Sequence, residues 1–317
     1  MYDVAALGEL LIDFTCLSTD ADGYPTMAAH PGGAPANYLA ALTKFGAKTA
    51  MIGKVGNDAF GKLLIKTLKG AGIDTRGMIV SDDVFTTLAF VTLDDSGDRE
   101  FSFARKPGAD TQLRFDEIDL GVIYASKVMH FGTLSMTNEP ARDATYRAVE
   151  YAAGHGKLIS FDPNLRKPLW DDLDEAKRQM LWGLQHADVV KISDEETEFL
   201  FGLAPEEAAK HIIESFGVRL VYVTCGAEGC FYRTKTAFGF VKALSGIAVK
   251  DTTGAGDIFG GSAMYGLLKA GGVPEKLTAE ELEKIVSFAC TSAGLSTTKA
   301  GGISSVPERS EVEAAMK

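Results

Sequence analysis

The stretch LISFDPNLRKPLWDDLDEAKRQMLWGLQHADVVKI, at residues 158–192, decides the fold class. It begins with the apolar run Leu158 to Phe161, continues through a helical pattern from Asp174 to His186, and ends with a second apolar run, Val189 to Ile192. Short apolar runs joined by a helix are typical of parallel strands that are buried on both faces. The stretch therefore predicts one strand–helix–strand unit of a mostly parallel sheet.

The same alternation recurs on both sides of this stretch. The apolar run Thr49 to Val55 precedes a helical pattern from Phe60 to Leu68, and the run Val128 to Phe131 precedes one from Pro140 to Ala153. A further apolar run, Leu220 to Thr224, follows a helical pattern around His211. A chain of 317 residues, 46% of them hydrophobic, is long enough for one large domain, and no linker or internal repeat divides it. We predict a single α/β domain over residues 1–317, with a mostly parallel central sheet flanked by helices on both faces.

One part of the chain departs from this rhythm. Thr86 to Leu93 and Arg99 to Phe103 flank the turn-forming residues Asp94 to Asp98, which predicts a β-hairpin. Together with Leu10 to Phe14, the hairpin is expected to form a small β-sheet that closes over a cleft as a lid. The predicted lid segments are approximately residues 10–31 and 85–106.

Composition excludes several classes of partner. Lys and Arg number 32 against 43 Asp and Glu, a formal net charge of −11, so the chain lacks the basic field that nucleic acids or anionic membranes require. The N-terminus, MYDVAALGE, carries acids rather than the bases of a signal peptide, and no apolar run is long enough to span a membrane. The cysteines have neither metal-binding nor disulfide spacing, which predicts reduced core thiols in a cytoplasmic protein: Cys16, Cys225, Cys230 and Cys290.

The segment IAVKDTTGAGDIFGG, at residues 247–261, has the strongest chemical pattern. It predicts a strand, a glycine turn and then a helix, whose free backbone N–H groups and positive dipole end attract an anion. A carboxylate at that point, Asp257, is suited to accept a hydroxyl proton during phosphoryl transfer. Asp257 as a simple helix cap beside a tight turn is an equally good interpretation of these residues alone.

Two other glycine patterns are weaker matches to nucleotide loops. The segment GNDAFGK at residues 56–62 has Walker A spacing, but Leu63 stands where a Mg²⁺-binding Ser or Thr is required. Gly254, Gly256 and Gly260 are spaced one residue too widely for a dinucleotide fingerprint. An NAD-dependent dehydrogenase therefore stays only as an alternative.

Four further polar segments have both a functional and a simpler interpretation. In PGGAPAN (31–37), the glycines and Asn37 suit either a polyol ligand or an ordinary helix start. The segment DPNLR (162–166) follows a predicted strand, so it is either part of a ligand site at the strand end or a turn that begins with proline. A Glu in KISDEE (191–196) suits Mg²⁺-bound water or an acidic helix start, and the glycines of TCGAEGC (224–230) suit a nucleotide or a hairpin.

Taken together, these segments resemble the ribokinase-like (PfkB-type) carbohydrate kinase family over essentially the whole chain, and within it the fructokinases. The signatures that carry the resemblance are GGAPAN at residues 32–37 with Gly46, and DTTGAGD at residues 251–257. The family implies a small β-sheet lid, ATP and Mg²⁺, a sugar substrate and a homodimer. Cys290 stands where the family often has an Asn near the adenine.

The resemblance also implies roles for individual residues. Asp257 is the expected catalytic base, and the anion hole consists of Gly254, Ala255 and Gly256. The residues expected to hold the sugar are Asp13, Gly32, Gly33, Asn37, Phe103, Arg105 and Arg166. Those expected to contact ATP are Lys191, Ser193, Thr224, Gly226, Gly229, Gly256 and Cys290. Glu196 is expected to bind Mg²⁺ through water, and Asp251, Thr253 and Gly301 are the hypothetical ligands of a K⁺ ion.

We therefore predict an ATP-dependent kinase that phosphorylates fructose to fructose 6-phosphate, with Mg²⁺ bridging the ATP phosphates. The nearest alternative is 2-keto-3-deoxygluconate kinase, which uses similar arginines to hold a carboxylate, followed by ribokinase or a nucleoside kinase. A sugar sensor on the same fold is the alternative outside catalysis.

Overall fold

The computed structural model of the protein describes residues 1–93 and 99–316. Its strands are β1 (Tyr2–Leu7), β2 (Leu11–Thr19), β3 (Pro25–Gly32), β4 (Thr49–Gly56), β5 (Asp74–Ser81), β6 (Leu88–Leu93), β7 (Arg99–Ala104), β8 (Ser126–Gly132), β9 (Leu158–Asp162), β10 (Val189–Ser193), β11 (Leu220–Thr224), β12 (Gly229–Arg233) and β13 (Phe238–Lys242). Its helices are α1 (Ala34–Lys44), α2 (Ala59–Gly70), α3 (Leu120–Tyr124), α4 (Ala141–Gly154), α5 (Leu173–His186), α6 (Asp194–Phe201), α7 (Pro205–Phe216), α8 (Ala255–Lys269), α9 (Ala279–Ser296) and α10 (Arg309–Ala315).

Nine strands form the central sheet in the order β13-β12-β11-β10-β9-β8-β1-β4-β5. The pairs from β11 to β5 are parallel, and the β11–β12 and β12–β13 pairs are antiparallel. The chain moves from β1 to β4 and β5 on one side and later to β8 and its successors on the other, so its direction reverses beside β1. Open α/β sheets bind ligands at the carboxyl ends of strands near such a reversal.

Two hydrophobic cores lie on opposite faces of this sheet. Val4 and Ala6 of β1 belong to the core that also contains Leu39 of α1, whereas the alternate residues Ala5 and Leu7 belong to the other core. Successive side chains of a strand point to opposite faces, so a strand buried on both sides is apolar throughout. The predicted α/β class, with helices on both faces of a mostly parallel sheet, is confirmed.

A second sheet has four strands in the order β3-β2-β6-β7. It begins where β1 ends, since only residues 8–10 separate β1 from β2, and β3 leads directly into α1. The antiparallel β6–β7 pair agrees with the predicted hairpin, whose turn lies outside the described residues. The sheet spans the two predicted lid segments and borders the carboxyl edge of β1. That it closes over a ligand, and that the chain is one domain, stay predictions.

The predicted strand before the glycine turn is wrong. Residues 243–252 form no strand, and the N–H groups of Lys250 and Asp251 both donate to the carbonyl of Thr297, at 2.8 and 3.1 Å. The apolar run packs instead at the end of α9, where Ile247 lies against Gly294, and Val249 is exposed. A connection held by the end of a helix carries the chain to the turn.

The prediction of core cysteines is wrong at one position. Cys16 lies on the outer half of β2 and is exposed, whereas the other three thiols are buried and free. Within residues 1–93 and 99–316, no helix combines the length and the apolar character that crossing a bilayer requires. The cytoplasmic location stays a prediction.

A buried ion pair fastens the small sheet to the rest of the fold. Arg105, directly after β7, donates from Nε and Nη2 to Oδ2 of Asp110, at 2.8 and 2.7 Å. The same guanidinium donates to Oγ1 of Thr137 and to the carbonyl of Leu134, and Thr87 before β6 donates to Asp110. Both charged side chains are almost fully buried.

We expect Asp110→Ala to lower the free energy of unfolding by about 3 kcal/mol, since it leaves the Arg105 guanidinium buried without its carboxylate. Denaturant unfolding followed by circular dichroism measures this change. The matched control is Asp116→Ala, which removes the partner of an exposed arginine, Arg114, and is expected to leave the midpoint unchanged. Equal midpoints for the two variants would show that the buried pair does not hold the sheet in place.

Candidate active site

The glycine turn before α8 forms a helix start that is open to an anion. Gly254 has φ 75°, a left-handed conformation, and a Cβ there would lie 3.0 Å from both Nδ2 of Asn37 and Cα of Gly302. Only glycine fits both constraints without strain. The N–H of Ala255 donates to Thr252 at 3.2 Å, whereas helix geometry leaves those of Gly256 and Asp257 without an intrahelical acceptor. These two N–H groups are best placed for a phosphoryl oxygen.

Asp257 lies in the first turn of α8 and is buried. Its Oδ2 accepts a hydrogen bond from Nδ2 of Asn37 at 2.9 Å. Burial raises the pKa of Asp257, and the carboxylate of Glu196 adds to this effect, while the bond from Asn37 and the charges of Lys191 and Arg166 oppose it. A carboxylate with a raised pKa beside cationic groups is suited to accept a proton near neutral pH.

A buried ammonium lies beneath the glycine turn. Nζ of Lys191, on β10, is 3.2 Å from Oδ2 of Asp162 at the end of β9, and 3.0 Å from where a Cβ on Gly256 would lie. The absence of a side chain at Gly256 therefore makes room for this cation. Although burial alone would lower the pKa of Lys191, the carboxylates of Asp162, Glu196 and Asp257 raise it. Lys191 is thus a fixed positive charge under the anion site.

Glu196 is buried and organises the ends of two neighbouring strands. Its Oε2 accepts the N–H of Ser193 at 2.8 Å, and its Oε1 accepts the N–H of Leu165 at 2.7 Å. Ser193 Oγ in turn accepts the N–H of Glu196, which completes a capping box at the start of α6. Each carboxylate oxygen keeps a second lone pair, so Glu196 fits a metal held through water.

Asp13 and Arg166 lie on the side of the small sheet. A Cβ on Gly32 would lie 2.2 Å from Oδ2 of Asp13, so only a glycine allows the two strands to approach at this point. Burial raises the pKa of Asp13 to about 7; Arg166 opposes this shift, while Asp257 and Asp251 add to it. Arg166 is exposed, and its charge acts on both Asp13 and Asp257.

Sequence reasoning missed Glu9, which holds the loop at Gly33. Its buried Oε1 accepts the N–H of Ala34 at 2.7 Å, and its carbonyl lies 2.4 Å from where a Cβ on Gly33 would be. Gly33 has φ 120°, which a residue with a side chain rarely adopts. Glu9 lies two residues past the end of β1, and an acid just after a strand of the parallel sheet is the signal that could have found it.

The three residues of the hypothetical cation site come together. Oδ1 of Asp251 accepts the N–H of Thr253 at 2.9 Å, and its Oδ2 accepts the N–H of Gly301 at 2.9 Å. The carboxylate therefore joins the loop before α8 to the loop after α9. This contact orders the approach to the glycine turn whether or not an ion binds beside it.

Phe103 and Arg105 line a cavity of about 340 Å³ between the end of β7 and residues 167–171. Arg105 commits four of its five N–H groups to Asp110, Thr137 and Leu134, as described above. It is therefore mainly a structural anchor in this conformation. The role expected for it, contact with the sugar, stays a prediction.

The expected nucleotide residues lie at the next strand ends. Thr224 is the register partner of Ser193, which places β11 beside the Glu196 cap. Gly226, with φ 51°, lies in the turn of the β11–β12 hairpin, Gly229, with φ 138°, begins β12, and Cys290 of α9 lies near Cys225 and Cys230 of this hairpin. Burial raises the pKa of Cys290 to about 12, and the neighbouring Cys225 adds to the rise. A neutral thiol therefore lines this region.

Strand ends and helix starts thus bring the buried carboxylate of Asp257, the ammonium of Lys191 and the first N–H groups of α8 close together. A hydroxyl next to Asp257 can lose its proton as its oxygen attacks a phosphoryl group held by the start of α8 and Lys191. The sequence indicated these residues, but the partnership of Asp162 with Lys191 and that of Asn37 with Asp257 were not predicted.

Comparison with known proteins identifies relatives that cover nearly the whole chain. The model of the pfkB family carbohydrate kinases matches residues 1–309. Fructokinase-2 of Solanum lycopersicum is 40% identical over 320 residues, which cover 99% of this chain and 96% of that protein. The crystal structure of Xylella fastidiosa fructokinase with bound ATP has a TM-score of 0.91 at 29% identity, covering 100% of this chain and 98% of that one. The crystal structure of a double mutant of Vibrio cholerae O395 fructokinase, with fructose, ADP and a potassium ion bound, has a TM-score of 0.87 at 30% identity. The match covers 100% of this chain and 99% of that one. The chain therefore belongs to the pfkB family of carbohydrate kinases.

Proposed function

We propose that this protein transfers the γ-phosphoryl group of ATP to fructose and releases fructose 6-phosphate and ADP. The observation that carries the proposal is the placement of Asp257, buried at the start of α8, next to N–H groups that have no intrahelical acceptor and close to the ammonium of Lys191. Phosphoryl transfer depends mainly on positioning and electrostatic stabilisation, and this site provides both.

In the proposed step, the O–H bond of the fructose hydroxyl breaks and its proton passes to Asp257. The oxygen forms a bond to the γ-phosphorus, while the bond from that phosphorus to the bridging oxygen breaks and leaves its electron pair on ADP. Charge spreads over the transferring oxygens, where the N–H groups of Gly256 and Asp257 and the ammonium of Lys191 stabilise it. Asp13, Gly32 and Arg166 hold the sugar beside the base.

The donor set fits the predicted metals in different ways. Mg²⁺, when bound, would neutralise charge on the ATP phosphates, and Glu196 would hold it through water because both its oxygens already accept backbone N–H groups. The contacts of the Asp251 carboxylate with the N–H groups of Thr253 and Gly301 bring these three residues together, which supports a K⁺ site there. The requirement for K⁺ stays a hypothesis, and equal rates with K⁺, with Na⁺ and without either ion would contradict it.

A neutral sugar is favoured over an acidic one. Recognition of the 2-keto-3-deoxygluconate carboxylate calls for arginine forks, but Arg105 has four of its N–H groups bonded within the protein. The likeness to fructokinases over nearly the full chain supports fructose in particular. Arg166 remains available to either substrate.

A coupled ADP-release assay with ATP and Mg²⁺ tests the function. We expect fructose to give kcat/KM values at least about tenfold above those for ribose, 2-keto-3-deoxygluconate and nucleosides, since each unpaired polar group in a site lowers transition-state binding. A higher kcat/KM for another of these acceptors would show that the protein is a kinase with a substrate other than fructose. The absence of ADP release with any of them, together with tight sugar binding, would instead favour a sensor. The expected homodimer stays a prediction that sedimentation velocity tests.

A further inference from the structure

The side chain of Asn37 reaches the base rather than the open cleft. It lies in the first turn of α1, is only 3% exposed, and donates from Nδ2 to Oδ2 of Asp257, which is 220 residues away along the chain. Among the described residues, none donates a hydrogen bond to its Oδ1. The carboxamide is therefore bonded on its donor side only.

The orientation of this carboxamide is fixed by its neighbours. The charged form of Asp257 has only acceptors, so the NH₂ group and not the carbonyl must face it. Backbone confines the other sides, because a Cβ on Gly254 would lie 3.0 Å from Nδ2 and a Cβ on Gly302 would lie 2.1 Å from Oδ1. Two glycines from separate loops thus make the space that the Asn37 amide occupies.

Stability alone does not account for an amide at this position. A buried carbonyl without a donor destabilises the folded chain, and an apolar side chain would avoid that loss. The residue instead provides a neutral donor to a buried carboxylate. Groups that fulfil a catalytic requirement often carry such a structural disadvantage.

We propose that Asn37 is a positioning residue for the base, which holds Oδ2 of Asp257 so that Oδ1 faces the sugar hydroxyl and takes its proton. This inference rests on the proposed kinase function and deepens it. It also assigns the donor of Asn37 to Asp257, whereas the sequence resemblance assigned Asn37 to the sugar. A fixed carboxylate orientation matters because a small misplacement of a reacting group greatly slows the reaction.

The other charged groups around Asp257 do not replace this donor. The cations favour its charged form from a distance, and Lys191 is paired with Asp162. The carboxylates disfavour it. The groups that face Asp257 are Lys191 and Asp162 from β10 and β9, Arg166 after β9, Glu196 from α6, and Asp13 from β2.

The variant Asn37→Asp separates the two roles of this side chain. It has nearly the same shape and keeps an oxygen that can accept a sugar hydroxyl, but it replaces the neutral donor by a second carboxyl. Two carboxyls this close share a proton, which lowers the fraction of Asp257 that is free to act as a base. We expect kcat to fall at least about tenfold, because a hydrogen bond to a charged group is lost, while the KM values for fructose and ATP stay within about twofold. An unchanged kcat, or a change confined to the KM for fructose, would overturn the inference.

The matched control is Asn57→Asp. Asn57 also donates from Nδ2 to an aspartate, Oδ1 of Asp82 at 2.6 Å, but this pair is exposed at the surface. The substitution makes the same chemical change there, and we expect kcat and both KM values to stay unchanged within about twofold. A loss equal to that of Asn37→Asp would show that the effect is not specific to the base.

The variant Asn37→Ser gives a second test without adding a charge. Removing the donor raises the pKa of Asp257 further, and a base is inactive when protonated, so the acidic limb of the kcat profile moves to higher pH. A purely structural role of Asn37 lowers the whole profile without moving this limb. A profile that is lowered but not displaced therefore contradicts the inference.

A titration without substrate separates this inference from the proposed function. Carbon NMR of protein with labelled aspartate carboxyls identifies the Asp257 signal as the one that Asp257→Asn removes. We expect its titration in Asn37→Ser to move to higher pH than in the unsubstituted protein. If no sugar is phosphorylated, the proposed function is wrong. If the Asp257 signal titrates at the same pH in Asn37→Ser as in the unsubstituted protein, Asn37 does not act on Asp257.

Discussion

We expect Asp257→Asn to lower kcat for fructose by about a thousandfold, the middle of the range for loss of a general base. The amide has nearly the shape of the carboxylate but cannot accept the hydroxyl proton. ATP binding is expected to remain, since the N–H groups at the start of α8 and the ammonium of Lys191 are unchanged. The loss therefore falls on the chemical step.

Steady-state ADP release and calorimetric titration with ATP measure these two effects separately. The matched control is Asp119→Asn, the same substitution at the start of α3, where the carboxylate accepts the N–H of Gly121. Asn caps a helix as well as Asp does, so this control is expected to keep full activity. If Asp257→Asn keeps more than about a tenth of the activity, Asp257 is not the base.

The second large effect is expected from Lys191→Met. This variant keeps much of the side-chain volume but removes the positive charge beneath Gly256 and leaves the carboxylate of Asp162 without its partner. Removing one electrostatic stabiliser of a transition state lowers kcat about a hundredfold or more. We also expect weaker ATP binding, since the phosphates lose a cation.

Lys54→Met is the matched control for this substitution. Lys54 is also a buried lysine, paired with Glu117 at 2.7 Å, but its other contact is the carbonyl of Gln112 and not a group around Asp257. It is expected to lower the denaturation midpoint and to leave kcat unchanged. Equal losses of kcat in the two variants would mean that Lys191 acts through stability rather than through the phosphate.

Much of the fold was predictable because buried parallel strands have a simple sequence pattern. The runs Val128 to Phe131 and Leu158 to Phe161 are apolar on both faces, and both are strands of the central sheet. Ile247 to Lys250 has a similar pattern but forms no strand, and the N–H groups of Lys250 and Asp251 bond to the carbonyl of Thr297 at the end of α9 rather than to a neighbouring strand. Local pattern does not distinguish these cases, since only tertiary contacts differ.

The site was predictable where several residues of one short segment act together. The turn at Gly254 and the cap formed by Ser193 and Glu196 are local features with recognisable spacing. The bond between Asn37 and Asp257 was not predictable, because the two residues are 220 positions apart and meet only once α1 and α8 pack.

The ion pair of Arg105 is a second contact that could not be predicted from the sequence. Its sequence context matched arginines that face a ligand, and the folded chain adds a buried ion pair with Asp110 that the sequence did not indicate, while contact with a sugar stays a prediction. A charge pattern shows which groups are present, and burial then decides whether they serve stability or a ligand. The sequence resemblance alone does not contain that information.

Phosphoryl transfer from ATP to fructose is tested most directly by phosphorus NMR of the protein with ATP, Mg²⁺ and fructose. We predict that the γ-phosphate signal of ATP disappears as ADP and fructose 6-phosphate appear in equal amounts. In the same mixture with Asp257→Asn, the γ-phosphate signal of ATP should stay almost constant over the time in which the unsubstituted protein consumes its ATP. Persistence of ATP with the unsubstituted protein, or formation of inorganic phosphate without a sugar phosphate, would contradict the proposed function.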